Sequence, residues 1–178
     1  MRRVTVVGAG LAGSEAAWQL ANRGIPVRLV EMRPVLMTPA HTTDRFGELV
    51  CSNSLGADVV TSPAGILKAE LRKLQSLVMK VADRYPVPAG RALAVDRERF
   101  AEAVTETLTA HPLVETIREE AVEIPDSPCI VATGPLTSQN MAKCISGLTG
   151  QEFLYFHDAV APVIERDSID MGDRKSVV

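Results

Sequence analysis

Six consecutive residues near the amino terminus, Gly8-Ala9-Gly10-Leu11-Ala12-Gly13, carry the spacing GxGxxG, and a carboxylate, Glu31, follows 23 positions after the first glycine. The chemistry this spacing permits is the binding of a diphosphate by bare backbone. Gly8 allows a tight turn, Gly10 removes the β-carbon that would hold a pyrophosphate away, and Gly13 lets a helix lie close on a strand. The first N–H groups of that helix then present a partial positive charge to the phosphates. A carboxylate at the position of Glu31 accepts hydrogen bonds from a ribose hydroxyl. An acid there disfavours a 2′-phosphate, so FAD or NAD is expected rather than NADP. The bland alternative is a glycine-rich turn with no ligand. A strand before the glycines, a helix after them and an acid at the end of the next strand argue against it.

Two further clusters carry chemistry. Cys51-Ser52-Asn53-Ser54 concentrates a thiol, two hydroxyls and an amide in four residues. Such groups hydrogen-bond a flavin ring or a substrate, and they equally close turns and cap helices. The second cluster ends an apolar run, Pro128 to Val131, in Ala132-Thr133-Gly134-Pro135. Small residues at a strand's carboxyl end let a ligand approach the backbone. Cys129, inside that run, reads as inert core. The cysteines, Cys51, Cys129 and Cys144, are three in number and show no CxxC spacing. A disulfide scaffold and a metal site are therefore not expected, and a reducing cytoplasm suits the chain. A thiol–disulfide oxidoreductase is rejected on the same ground, because Cys51 has no cysteine within four residues on either side.

These residues need elements to hold them. Val4 to Val7 is a short β-branched run suited to a strand buried on both faces. A helix to about Asn22 follows, with Ala12, Ala16 and Leu20 on one face, and Val27 to Val30 reads as a second strand. From Met32 to Pro63 periodicity vanishes, which predicts a long functional loop. Ser62-Pro63 opens a helix expected to run to about Ala82, with Leu67, Leu71, Leu74, Val78 and Val81 as its apolar stripe. Lys68, Arg72, Lys73 and Lys80 lie off that stripe and form a basic face, solvated or in contact with polynucleotide phosphate. Arg91 to Val95 reads as a strand, and Asp96 caps a helix from Arg97 to about Ala110. Short strands are expected near Val114–Arg118 and Val122–Ile124.

The 178 residues are 46% hydrophobic and 23% charged, with a net charge of −3. That composition excludes a disordered tail and wholesale basic attraction to nucleic acid. No run approaches the ~18 uncharged residues of a membrane helix, so no membrane partner is expected.

The pieces together resemble the two-dinucleotide-binding-domain flavoproteins. The expected fold is thus a Rossmann-like α/β FAD-binding domain with a helix/strand insertion. Four stretches resemble, more specifically, the folate- and FAD-dependent tRNA (uracil-5-)-methyltransferases. They are Glu48-Leu49-Val50-Cys51-Ser52-Asn53-Ser54-Leu55, Ala132 to Ser138, Leu154 to Pro162, and Ser168-Ile169-Asp170-Met171. The resemblance implies methyl transfer from 5,10-methylenetetrahydrofolate to C5 of a T-loop uridine of tRNA, with FAD as cofactor and NAD(P)H as its reductant. Uracil C5 is a poor nucleophile until a thiolate adds at C6, so the chemistry needs a cysteine as well as a hydride donor beside the one-carbon unit. By resemblance, residues Gly8, Ala9, Gly10, Leu11, Ala12 and Gly13 hold the FAD pyrophosphate and Glu31 the ribose. Thr133 and Gly134 also line the cofactor, Ser52 and Asn53 neighbour its ring, and Cys51 lies near the flavin as a candidate catalytic thiol.

The same resemblance divides the chain into residues 1–60, the first half of the FAD domain; 61–112, an insertion; 113–171, the return to that domain; and a tail, 172–178, unlike the family. Family members run well beyond this length, and their main nucleophilic cysteine falls outside this chain. Neither Cys129 nor Cys144 stands in its context. The chain is accordingly expected to be C-terminally truncated, inactive alone, and isolated with little yellow chromophore. The rival readings are a flavoprotein of wobble-uridine modification and a non-catalytic nucleotide-binding module. The Cys51–Asn53 loop and the Leu154–Pro162 stretch argue against the first. The sequence carries no signature of oligomeric state.

Overall fold

A computed structural model describes residues 3–126 and 128–150 of the chain. The stretches Leu154–Pro162 and Ser168–Met171 and the tail 172–178 lie outside the described residues. Strand β1 (Val4–Val7), helix α1 (Leu11–Ala21) and strand β2 (Val27–Glu31) follow one another as the opening sequence requires. With β6 (Val114–Arg118) and β7 (Cys129–Val131) these strands form a parallel sheet in the order β6-β2-β1-β7. The register pairs Val7 with both Val30 and Val131, so the carboxyl ends of three strands come out side by side. A second, antiparallel sheet has the order β3-β5-β4, built from Ser54–Ala57, Ala92–Val95 and Pro86–Val87.

Helices α1 and α4 (Arg97–Thr109) pack on the parallel sheet, and α3 (Leu77–Ala82) packs against both of them and against β5 of the second sheet. Their apolar faces enclose Val6, Val27, Leu29, Leu77, Phe100, Val104 and Leu108, all buried. Small Ala17 and Ala21 on α1 let it approach the strands, whereas of the expected face Ala12 is exposed and Ala16 and Leu20 only half-buried. Asp96 caps α4 by accepting from the Glu98 and Arg99 amides.

Several expectations are corrected. The helix expected from Pro63 to Ala82 is two helices, α2 (Pro63–Lys73) and α3, broken where Gln75 takes φ 57°. Ser76 restarts the chain as a helix cap by accepting from the Met79 amide at 3.2 Å. The break rotates the stripe, so Leu67 and Leu74 are exposed while Leu77, Met79 and Val81 are buried. The basic face is also smaller than the sequence suggested. Lys68 is buried and donates to the Ala57 and Ala64 carbonyls. Arg72 is clamped between Asp58 and Asp83, whose carboxylates hold it charged.

No strand forms at Val122–Ile124. Among the described residues strand β7 is the sheet's edge, with Ile130 and Val131 each more than a third exposed and Cys129 only half-buried, not inert core. Strands β3 and β4 and helix α5 (Gln139–Thr149) were not anticipated. Strands β3 and β4 are too short to give a clear apolar period, whereas Met141, Cys144, Ile145 and Leu148 recur at helical spacing and were a readable signal for α5.

Candidate functional site

The glycine turn sits at the carboxyl end of β1, and its three glycines have three separate reasons. Gly8 takes φ +95°, and a β-carbon there would lie 2.7 Å from the Ala132 carbonyl oxygen. A β-carbon on Gly13 would lie 1.7 Å from the Gly8 oxygen. Both glycines are therefore required by packing of the chain on itself. Gly10 is different: a β-carbon there would meet nothing within 4 Å. Gly10 is also the N-cap of α1, and no side chain caps that helix. Uncapped N–H groups beside open space are what an anion at a helix start needs.

That space is a cavity of about 300 Å³ at the strands' carboxyl ends. It is lined by Gly8, Gly10, Leu11 and Ala12 on one side and by Thr133 and Gly134 on the other, with Glu31 at its edge. The structure thus brings together seven of the residues expected at the site. Ala9 and Gly13 lie beneath the turn, both buried. The Ala9 amide is already used, donating to Glu31 Oε2 at 2.7 Å.

Glu31 is 4% exposed and heavily engaged. Its Oε1 accepts from the Arg33 amide at 3.1 Å and from Arg33 Nε at 2.8 Å. A carboxylate offers about four acceptor positions, and Oε2 keeps one for a further donor such as a ribose hydroxyl. Burial raises its pKa, but the guanidinium of Arg33 and the two amides outweigh that and hold it below the ordinary carboxylate value. Arg33, itself 2% exposed, also reaches Glu48 Oε2 at 2.9 Å. Glu48 in turn accepts from the amide and hydroxyl of both Thr42 and Thr43. These bonds keep Glu48 ionised against its partial burial. The loop is fastened again where Gly47 N–H donates to the Ala9 carbonyl at 2.8 Å, and where Arg118 lies 4.3 Å over the Phe46 ring.

Sequence reasoning missed Arg33 and Glu48. The signal for Arg33 was its place two residues beyond Glu31, on the same side of an extended chain. Glu48 had none, because its partners lie in an aperiodic loop. His41 was missed as well. It lines the cavity, with Nδ1 2.6 Å from the Thr38 hydroxyl, and burial together with nearby Arg33 lowers its pKa, so it favours the neutral form.

The Cys51 loop is placed differently from expectation. Val50 lines the cavity, whereas Cys51, Ser52 and Asn53 do not. Ser52 Oγ accepts from the Ser54 amide, and Asn53 Nδ2 donates to the Val95 carbonyl at 3.1 Å. Here the turn-closing and strand-pairing roles won, since those backbone groups would otherwise lack partners. Cys51 is exposed and in no disulfide. Among the described residues no cluster of His, Cys, Asp and Glu is placed to hold a metal, and no helix is long and apolar enough to cross a membrane.

The separate reasons for the glycines make a prediction. Gly10→Val should leave the thermal melt of the chain close to that of the parent, yet weaken ADP or FAD binding by at least about tenfold, roughly 1.4 kcal/mol. Equilibrium dialysis with either nucleotide measures it, and unchanged affinity would place the ligand elsewhere.

The parallel sheet, the glycine turn and the uncapped helix start define a dinucleotide-binding α/β domain. The chain belongs to the family described as glucose inhibited division protein A, which matches residues 3–176. A solved structure of Aquifex aeolicus GidA superposes with a TM-score of 0.55 at 21% identity, covering 70% of this chain and 20% of that one, and supports the fold alone. Curated relatives are far nearer in sequence. The methylenetetrahydrofolate–tRNA-(uracil-5-)-methyltransferase TrmFO of Anoxybacillus flavithermus is 62% identical over 94% of this chain. The protein of the same name from Bacillus subtilis is 58% identical over the same share. The chain spans 39% of the length of each.

Proposed function

We propose that this chain is the FAD-binding portion of a folate-dependent tRNA (uracil-5-)-methyltransferase acting in the cytoplasm. The observation that carries the reading is 62% identity, sustained over 168 residues, to a protein of that name. The residues present fit the cofactor: Gly10 leaves a cradle that a β-carbon would fill, and the helix beside it has no cap of its own.

In the proposed arrangement the first amides of α1 donate to the pyrophosphate, and Glu31 Oε2 accepts the ribose hydroxyl. Arg33 keeps Glu31 ionised and fixed in direction, so the acceptor is preorganised before the nucleotide arrives. The bound flavin, reduced by NAD(P)H, would supply the hydride that completes a methyl group from 5,10-methylenetetrahydrofolate. Cys51, exposed one residue beyond the cavity wall, is the thiol of this chain positioned to meet a nucleobase arriving from solvent. Its proposed role is that of a second thiol near the flavin, beside the main nucleophilic cysteine that relatives carry outside this chain, and the proposed acceptor is the T-loop uridine.

Deleting the gene for the protein of which this chain is the FAD-binding portion should remove 5-methyluridine from the T loop of bulk tRNA, read by nucleoside mass spectrometry. Restoring the gene should return it. An unchanged 5-methyluridine content would overturn the reading.

A further inference from the structure

We infer that the corner between α2 and α3, built around Trp18, docks the sugar–phosphate chain of the tRNA. The inference rests on the reading above for the identity of the polyanion, and on separate observations for the surface.

The corner is concave because the helix breaks there. Gln75 adopts φ 57°, a left-handed conformation that is unfavourable for a residue with a side chain. Two bonds from α1 hold it: Trp18 Nε1 donates to the Gln75 carbonyl at 3.0 Å, and Gln19 Nε2 donates to the Leu74 carbonyl at 3.2 Å. The result is a cavity of about 330 Å³ lined by Trp18, Arg72, Gln75, Ser76 and Lys80. It shares no residue with the dinucleotide cavity. Trp18 lies seven positions along α1 from Leu11, roughly 10 Å from the phosphate-binding end.

The chemistry of this corner suits a strand of nucleotides. Lys80 Nζ sits 5.2 Å from the Trp18 ring centroid, and Arg84 lies 5.2 Å over Tyr85. Arg23, just past the end of α1, donates to Gln19 Oε1, and the same Gln19 amide group donates to the Leu74 carbonyl, which brings the guanidinium near the corner. Lys73 immediately precedes Leu74. Among the described residues, none of Arg23, Lys73, Lys80 and Arg84 is paired with an acid, whereas Arg72 is doubly paired. The nearby acid, Glu15, already accepts from Gln19, Ser76 and the Val78 amide. With Arg72 and the acids Asp58, Asp83 and Glu15 counted beside them, the corner holds five cations against three acids, a local positive excess on a chain of net charge −3. Of the cations without acidic partners, Arg23 sits just past the end of α1, Lys73 at the end of α2, Lys80 in α3 and Arg84 just past it, a spread that fits successive phosphates better than one small anion. The half-buried indole among them, held between Lys80 and the edge-on ring of His111, lies where a strand bound at the corner would change its surroundings.

Trp18 is the chain's single tryptophan, so its fluorescence reports on this corner alone. Titration of the full chain with an unmodified tRNA transcript should change Trp18 emission, whereas uridine monophosphate should not. Lys80→Glu combined with Arg84→Glu, both exposed positions, should raise the tRNA Kd at least tenfold by filter binding. The same pair should make the slope of log K against log salt shallower, by about 0.7–0.9 for each phosphate the variant no longer neutralises. Arg97→Glu, an exposed cation on α4, is the control and should leave Kd unchanged. If tRNA binds but neither the emission nor the double variant's Kd changes, the docking surface lies elsewhere and the methyltransferase reading stands. Competition between uridine monophosphate and tRNA at Trp18 would make the corner a small-anion site and overturn the inference. Failure of tRNA to bind at all would overturn it too, while the gene-deletion result judges the reading independently.

Discussion

Replacing Arg33 with methionine is expected to destabilise the chain by about 3–5 kcal/mol at pH 7, the usual cost of removing one partner from a buried ion pair. The size follows from what is left behind. Glu31 and Glu48 have side-chain exposures of 5% and 13%, and Arg33, at 2%, is the cation that lies between them. Methionine fills similar volume but offers no side-chain donor, so two largely desolvated carboxylates face each other across the loop. The effect should depend on pH with a definite sign. In the parent both carboxyls have pKa values held below 4.5, so their contribution to stability is complete above that pH and is lost as the pH falls through their folded values. In the variant burial acts with less opposition, the folded values rise, and protonation relieves the penalty. The gap between parent and variant should therefore shrink on going from pH 7 toward pH 4. Urea denaturation at both values measures it, and a gap below about 1 kcal/mol at pH 7 would mean that desolvating the guanidinium cancels the pair's attraction.

Gly13→Ala is expected to be nearly as severe, by a different physical route. A β-carbon 1.7 Å from the Gly8 oxygen cannot be accommodated by rotating a side chain, because the atom it meets is backbone. Helix α1 must move off β1, which separates Ala17 and Ala21 from the sheet. A cost of about 3 kcal/mol, at the upper end of overpacking effects, corresponds to roughly 6–12 °C in melting temperature for a domain of this size. Calorimetry of the variant checks this, and the comparison with Gly10→Val makes the test specific. The two substitutions lie three residues apart in one motif, yet one should damage the fold and the other the binding. A Gly13→Ala chain that melts with the parent would show that α1 is free to shift.

The glycine turn and the strands around it were legible because their determinants are local. A β-branched run, three glycines at fixed offsets and an acid at the next strand's end suffice to write β1, α1 and β2, and the structure agrees to within a residue at the ends of both strands and at the end of α1. The break at Gln75 was not legible. Leucines and valines continue at helical spacing through residues 74–78, and what interrupts them is a pair of hydrogen bonds from α1, more than fifty positions earlier. The fate of the lysines followed from that break. Lys68 is covered because β3 folds against α2, so a charge pattern read along one helix overstated the cations facing solvent.

The linear order of residues determined where a diphosphate can rest, since a turn, a helix start and a missing β-carbon are properties of a few neighbours. Only the folded chain decided what surrounds that place: Arg33 wedged between two acids, Asn53 turned toward β5, and Trp18 set among cations at a corner. Those arrangements depend on the meeting of segments tens of residues apart. They arise because each buried charge or backbone group must find a partner wherever the packing leaves one.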